Sequence, residues 1–231
     1  ISKYCASITS GIAAHSSLAT WPIYQFGTEE QKMRFLPELL SGRAWGAMGL
    51  TEPGAGSDAA MQQTKAYLDG DHYVVNGRKC FITNAGEAKY YTTVVMTDKT
   101  KGNKGMSILV IPADAPGFTI GKHEKKMGIR ASATADLIFD NCIVPKENLI
   151  GREGDGFKMI MQTLDVGRLG VGAIGLGIAE GAIEETLKYV SQRKQFGKTI
   201  GSFQNTQFEL ADMATKAEAA KLLVYEAAAT K

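Results

Sequence analysis

Residues 50–58 read Leu-Thr-Glu-Pro-Gly-Ala-Gly-Ser-Asp. A strand ends there, Pro53 fixes one φ angle, and Gly54 and Gly56 open conformations closed to other residues. Backbone N–H groups in such a turn can converge on an anion or a polar ring edge, with the Thr51 and Ser57 hydroxyls beside them. The competing reading is a plain surface turn. Further on, Phe81-Ile82-Thr83-Asn84 places an aromatic ring next to a hydroxyl, which on its own reads more readily as a core residue beside a strand former. Asp165 and Arg168 form a charged i, i+3 pair, normally a solvated one, but inside a Gly-rich apolar helix with no obvious outer face. Gly170-Val-Gly172-Ala-Ile-Gly175 has the spacing of a dinucleotide-binding turn. That turn works only between a strand and a helix, and residues 159–169 are themselves helical in pattern.

Other chemistries are excluded more simply. There is no GxxxxGK[ST] string and no GxSxG elbow, since Ser57 has alanine at both flanking second positions. Three cysteines (Cys5, Cys80, Cys142) and three histidines (His15, His72, His123) are scattered without ligand spacing. No metal site is expected, and the cysteine usage suits a reducing compartment. With 26 Lys plus Arg against 24 Asp plus Glu, the formal charge of +2 supplies no basic face for nucleic acid or an anionic membrane. No apolar run is read as reaching the roughly 18–20 residues that cross a bilayer, so no membrane partner is expected. The chain opens on Ile1 and stops at Lys231 within a helical pattern, which reads as a piece of a longer subunit lacking both ends.

These residues need elements to hold them. The 231 residues, 44% hydrophobic and 22% charged, have ordinary globular usage. Residues 1–42 read as helical. Thr28 and Gln31 form a capping-box pattern, Met33, Leu36 and Leu40 share a face, Pro37 strains the helix and Gly42 ends it. From residue 44 the period becomes two. Asn76-Gly77 predicts a tight hairpin turn between residues 73–75 and 79–82. Residues 90–96, 106–111, 137–139 and 142–144 add strands. This argues for an antiparallel sandwich or barrel over 44–150. Beyond Gly156 the helical period returns. Ser202 is expected to cap a second helix, with Phe203, Leu210, Ala217 and Val224 every seven residues and Met213, Ala220 and Ala227 offset by three, a bundle seam. The fold class is α+β: N-terminal helices (1–43), a middle β domain (44–150), and the first part of a C-terminal up-down helical bundle (151–231). Six glycines of the first bundle helix (Gly167, Gly170, Gly172, Gly175, Gly177, Gly181) would admit a close neighbour or ligand.

The chain resembles the flavin-dependent acyl-CoA dehydrogenases, and among them the short-chain, butyryl-CoA-like bacterial members. The resemblance rests on residues 50–58, Phe81-Ile82-Thr83-Asn84, Lys125-Lys-Met-Gly-Ile-Arg130 with Ser132 and Thr134, Gly154-Asp-Gly-Phe157, Thr163-Leu-Asp-Val-Gly-Arg168, Arg193-Lys-Gln-Phe-Gly197, Ser202-Phe-Gln204 and Gln207-Phe-Glu-Leu-Ala-Asp-Met213, in that order. It implies FAD as cofactor and α,β-dehydrogenation of a short-chain acyl-CoA to the trans-2-enoyl-CoA, a step of fatty acid β-oxidation. A carboxylate takes the α-proton while a hydride leaves the β-carbon for the flavin. Electrons then pass to an electron-transfer flavoprotein. A non-catalytic flavin- or CoA-binding module and an acyl-CoA oxidase are the alternatives.

By the same resemblance, Met48, Gly49, Leu50, Thr51, Gly56 and Ser57 form a flavin-binding segment, with Ser57 also touching the acyl-CoA. Phe81, Ile82 and Thr83 lie beside the isoalloxazine; Phe81 stands where many members carry Trp, so an indole N–H is lost. Asp165, Val166, Gly167 and Arg168 face the CoA. Arg193, Phe196 and Gln204 reach the FAD of a neighbouring subunit, which implies a homo-oligomer, a dimer of dimers (homotetramer). The run Lys122-His-Glu-Lys-Lys126 meets CoA phosphates or is a solvated turn. A minority of the family places its catalytic glutamate where Gly167 stands, so the base is expected beyond Lys231 and this chain alone is expected to be inactive. The resemblance to bacterial members implies a cytoplasmic bacterial protein.

Overall fold

A computed structural model describes residues 1–230. Its contacts separate into two compact units, Ser10–Gly167 and, apart from it, Ile1–Thr9 with the residues from Arg168 onward.

In the first unit, α1 (Ala6–Ala13) passes into a π-helical turn, Ala14–Thr20, and then into α2 (Trp21–Phe26) and α3 (Glu29–Leu40). The capping box at α3 forms as predicted: the Gln31 amide donates to Thr28 Oγ1 at 3.3 Å, and the Thr28 amide donates to Gln31 Oε1 at 2.9 Å. The Gln31 side-chain amide also donates to the Glu147 and Leu149 carbonyls, 2.7 Å each. This anchor sets the helix rotation. The buried face is Gln31, Phe35, Leu36 and Leu39, whereas Met33 and Leu40, expected on it, are exposed. Pro37 sits inside α3, and Gly42, at φ 72°, follows its end.

The strands are β1 (Trp45–Gly49), β2 (Lys65–Asp69), β3 (His72–Thr83), β4 (Ala88–Met96), β5 (Met106–Pro112), β6 (Phe118–Ile120), β7 (Thr134–Pro145) and β8 (Leu149–Ile150). They form one eight-stranded sheet in the order β6-β7-β3-β2-β4-β5-β8, with β1 added on β4. Most pairings are antiparallel, but β1 runs parallel to β4 and β2 makes a single parallel contact with it, so the all-antiparallel expectation is corrected. Asn76-Gly77 is not a turn. Strand β3 runs straight through it, and the chain reverses instead at Gly70 and Asp71, where Asp69 pairs with His72 and Gly70 takes φ 62°. Opposite Asn76, β7 carries an extra residue; Asn141 adopts φ 49° and its amide donates to Asn76 Oδ1 at 2.9 Å. The two short strands expected at 137–139 and 142–144 are therefore one strand with a bulge.

Strands β4 and β5 are buried on both faces. Val95, Leu109 and Ile111 join Tyr73, Val75, Tyr91, Phe118, Leu137, Phe139 and Val144 in one core. The alternate residues Val94, Ile108 and Val110 join Ile23, Phe35, Leu39, Met159 and Ile160 of the helices in a second. The helices and the sheet are further joined through His15. Its Nδ1 accepts from the Gly46 amide at 2.9 Å, so the ring proton is on Nε2, which donates to the Leu39 carbonyl at 3.2 Å.

In the second unit, α4 (Gly156–Gln192, beginning in the first unit) is followed by the two-residue strands β9 (Lys194–Gln195) and β10 (Lys198–Thr199) and by α5 (Gln204–Thr230). Ser202 does not cap α5; its hydroxyl donates backwards to the Thr199 carbonyl at 2.7 Å. Along α5 the half-buried positions include Leu210, Ala217 and Val224, while Met213, Ala220 and Ala227 of the expected seam are exposed. An apolar groove between the two helices is lined by Leu176, Ala179, Ile183, Met213, Ala217 and Ala220. The close approach expected of the α4 glycines is present at two of them in this unit: a Cβ on Gly177 would collide with Ser2 and one on Gly181 with the Lys3 carbonyl. Helix α4 is long and apolar enough to cross a membrane, with a window of mean hydropathy 1.4. That corrects the expectation that no segment is. Arg168 and Glu180 interrupt any uninterrupted run but barely lower an average carried by Ile, Leu, Val and Ala.

Two outcomes follow. Burial holds the His15 pKa below its usual value, against the bond to Leu39, so the unfolded chain takes up the proton first and stability falls as the pH drops below about 6.5. In urea titrations from about pH 7 to about pH 5, His15→Ala should flatten that slope and cost about 1–3 kcal/mol at neutral pH; an unchanged slope contradicts the assignment. Gly181→Ala, which in an open helix gains about 1 kcal/mol, should instead lower the melting temperature or release residues 1–5 to faster hydrogen exchange.

Candidate functional site

Past β1 the chain makes an excursion, residues 50–64, and returns to the sheet at β2. Its tip is a tight turn in which the Glu52 amide donates to the Ala55 carbonyl at 3.0 Å and the Ala55 amide returns the bond to Glu52 at 3.1 Å. Ala55 is buried beneath it, while Pro53, Gly54, Gly56 and Ser57 are exposed. Neither Gly54 nor Gly56 has a positive φ, so the expectation that they supply special conformations is wrong. A Cβ on either would also meet nothing within 4 Å. Among the described residues nothing requires these glycines, and bare backbone is what a close-lying ligand needs.

The base of the excursion is held by a fully buried cation. Lys79 on β3 has no exposed surface, and its Nζ donates to the Leu50 carbonyl at 3.2 Å, to Glu52 Oε1 at 2.7 Å and to Gln62 Oε1. All three ammonium protons are used. The Glu52 carboxylate, equally buried, also accepts from the Gln63 amide at 2.6 Å and the Thr64 amide at 2.9 Å. Burial opposes its charge, but Lys79 and the Thr64 amide outweigh that and hold the carboxyl below its ordinary range. Burial pushes the Lys79 pKa down to about 8, with Glu52 pulling the other way. Both groups are charged at neutral pH.

Immediately after Lys79 the register slips. Lys79 pairs with Leu137 and Ile82 with Ala135, so Cys80 and Phe81 together face the single residue Asp136. This bulge turns the Cys80 amide away from β7, and it donates to the Thr51 carbonyl at 2.8 Å. Phe81 takes φ 58°, a strained value for an aromatic residue, and its ring is 65% exposed. Ile82 returns to the core and Thr83 pairs with Thr134. Asn84, at φ 66°, donates to the Gly11 and Gly46 carbonyls at 3.0 and 3.1 Å and pins the strand end to α1 and β1. Segments 50–57 and 80–83 are thus one surface, bearing an exposed ring and the hydroxyls of Thr51, Ser57 and Thr83. None of those hydroxyls bonds another described residue.

The remaining residues singled out from sequence fall as follows. Met48 is half-buried on β1, and Gly49 is buried where a Cβ would press on Thr93 and Leu137. On α4, Asp165 is exposed, Val166 half-buried, and Gly167 buried where a Cβ would lie 2.6 Å from Leu18. Arg168, Arg193, Phe196 and Gln204 belong to the second unit, and all four are exposed. Arg193 directly follows the C-terminus of α4. Phe196, at φ 53° and 92% exposed, meets Phe203 edge-on at 6.3 Å. In the basic run, Lys126 turns inward to the Ser132 carbonyl and Thr134 Oγ1 at 2.5 and 2.7 Å; its neighbours Lys122, His123, Glu124 and Lys125 are exposed. Sequence reasoning missed Lys79, and it quoted Glu52 and Asn84 within motifs without giving either a role. The one available signal was a lysine inside an apolar strand pattern with a Glu-Pro upstream.

Residues 1–43 match the acyl-CoA dehydrogenase N-terminal domain, 47–142 the middle domain and 154–231 the C-terminal domain. A short-chain specific acyl-CoA dehydrogenase of Clostridium acetobutylicum is 51% identical across the whole chain, which covers 61% of that protein. The structure of butyryl-CoA dehydrogenase from Megasphaera elsdenii superposes with a TM-score of 0.96 at 50% identity, over 97% of this chain and 59% of that one. A chain from a structural study of the electron transferring flavoprotein of Acidaminococcus fermentans gives 0.96 at 53% identity, over 97% and 59%. The chain thus spans about three fifths of the length of these relatives. All three domain matches, in family order, and identities near one half over essentially every residue place the chain in the acyl-CoA dehydrogenase family.

Proposed function

We propose that the intact protein is an FAD-dependent short-chain acyl-CoA dehydrogenase, converting the acyl thioester to its trans-2-enoyl-CoA and passing electrons to an electron-transfer flavoprotein. The observation that carries this is the Cys80–Thr51 bond, which joins the loop at 50–57 to the bulge at 80–83 in a single wall. A flat aromatic ring system fits that wall: Phe81 presents an apolar face, Gly54 and Gly56 leave backbone unobstructed, and three hydroxyls stand without partners among the described residues. When bound, FAD supplies the two-electron acceptor for the substrate's β-carbon.

The chain's own residues bind, orient and exclude water. Thr83 Oγ1 donates to the edge of the flavin ring. Met48, Gly49, Leu50, Thr51, Gly56 and Ser57 line its other parts, and Ile82 backs it from the core. Ser57 also touches the acyl-CoA, whose CoA moiety is met by Asp165, Val166, Gly167 and Arg168. Arg193, Phe196 and Gln204 are directed to the FAD of a neighbouring subunit in a homo-oligomer, a dimer of dimers. A planar guanidinium suits a pyrophosphate. Water-free surroundings let a polarised thioester yield its α-proton. The base that takes this proton is assigned to the part of the relatives' length that this chain does not span. On this reading 1–43, 44–150 and 151–231 are the family's three domains, and the enzyme works in the bacterial cytoplasm.

The decisive test is addition of butyryl-CoA to the intact, FAD-loaded protein. Bleaching of the flavin absorbance in the absence of oxygen is expected; binding without bleaching would indicate a non-catalytic module, and peroxide formation in air an oxidase. Thr83→Val should slow the bleaching while leaving the melting temperature nearly unchanged. Arg193→Ala should weaken FAD binding by roughly 1.5–3 kcal/mol, typical of a charged hydrogen bond. Unchanged affinity there removes the cross-subunit role.

A further inference from the structure

We propose that Lys79 is a positioning residue for the flavin: from beneath the wall, its ammonium fixes the loop at 50–57 against the Phe81 bulge. This rests on the flavin reading above. The three acceptors of Lys79 come from three different points of the excursion: Leu50 where it leaves β1, Glu52 in the turn and Gln62 on the return. One cation therefore closes the base of the whole excursion. It does so next to the bulge in its own strand, so that the Cys80 amide meets the Thr51 carbonyl and Phe81 is turned outward.

Stability alone does not account for such an arrangement. A buried ion pair can generally be exchanged for packed apolar side chains without loss, whereas removing one partner strands a charge. What an apolar replacement cannot supply is direction. Three N–H bonds hold Leu50, Glu52 and Gln62 at fixed places relative to β3, and dispersion contacts do not. Groups that hold ligand-contacting residues from behind set affinity even though they never touch the ligand.

The test uses the intact protein and three variants: Lys79→Met, the double variant Lys79→Met/Glu52→Gln, and Gln62→Met, which keeps the ion pair and removes one tether. Three quantities are read: melting temperature, hydrogen exchange of the Cys80 amide without flavin, and FAD affinity together with the visible circular dichroism of the bound flavin. Lys79→Met alone should lower the melting temperature. The double variant should recover much of that loss. Even so, its Cys80 amide should exchange faster, its FAD affinity should fall about ten- to hundredfold, the range seen for groups that orient metal ligands, and its flavin band should change shape. Gln62→Met should move the last three readouts in the same direction by less. A folded double variant, or failing that a folded Gln62→Met, with the parent's Cys80 protection, FAD affinity and spectrum would overturn the proposal. If the parent itself takes up no FAD, the functional reading fails; the exchange measurement, made without flavin, still judges the tether separately.

Discussion

The ion pair between Lys79 and Glu52 is the constraint on which the candidate site depends. Both side chains are buried, Lys79 completely and Glu52 to within 3%, so each charge has to be answered by protein. The carboxylate draws in the Gln63 and Thr64 amides, and the ammonium draws in Leu50 and Gln62. Satisfying two buried charges therefore dictates the path of some fifteen residues that carry little regular structure of their own. The loop is exposed at its tip and ordered at its base. That combination lets backbone meet a ligand without the loop collapsing onto the sheet.

The sheet supplies the rest of the rigidity. Because β4 and β5 are buried on both faces, β1, which pairs with β4, has a fixed base on which to present Met48 and Gly49. Strand β3 contributes differently, through departures from regular pairing. The slip after Lys79 frees one amide for the loop and rotates one aromatic ring outward, and Asn84 then locks the strand end onto α1 and β1 with one bond to each from a single side chain. Positive φ at Phe81 and Asn84 is strain concentrated beside the surface that the ligand is proposed to use.

Much of this was legible in the sequence, and the limits have physical causes. Thr28 and Gln31 announced the capping box because both partners are local. The strands at 90–96 and 106–111 were visible because their composition is β-branched and apolar. Asn76-Gly77 misled: a dipeptide that favours a hairpin serves equally well opposite a bulge, and the Gly70-Asp71 pair six residues earlier made the turn. Met33 and Leu40 misled because the rotation of α3 is set by Gln31 reaching β8, a contact across more than a hundred residues. The loop at 50–58 and the motif at 81–84 could be recognised as chemical, but not how they are joined. That join depends on a one-residue register slip and a lysine turned into the core, and strand alternation predicts neither.

The central claim is that the wall made by residues 50–57 and 81–83 holds a flavin ring. A crystal structure of the intact, assembled protein with FAD tests it most directly. The account predicts the isoalloxazine lying against Thr51, Phe81 and Thr83, with the Thr83 hydroxyl in hydrogen-bond reach of the ring. A ring seated on any other part of the β domain, or on the helices, would contradict it.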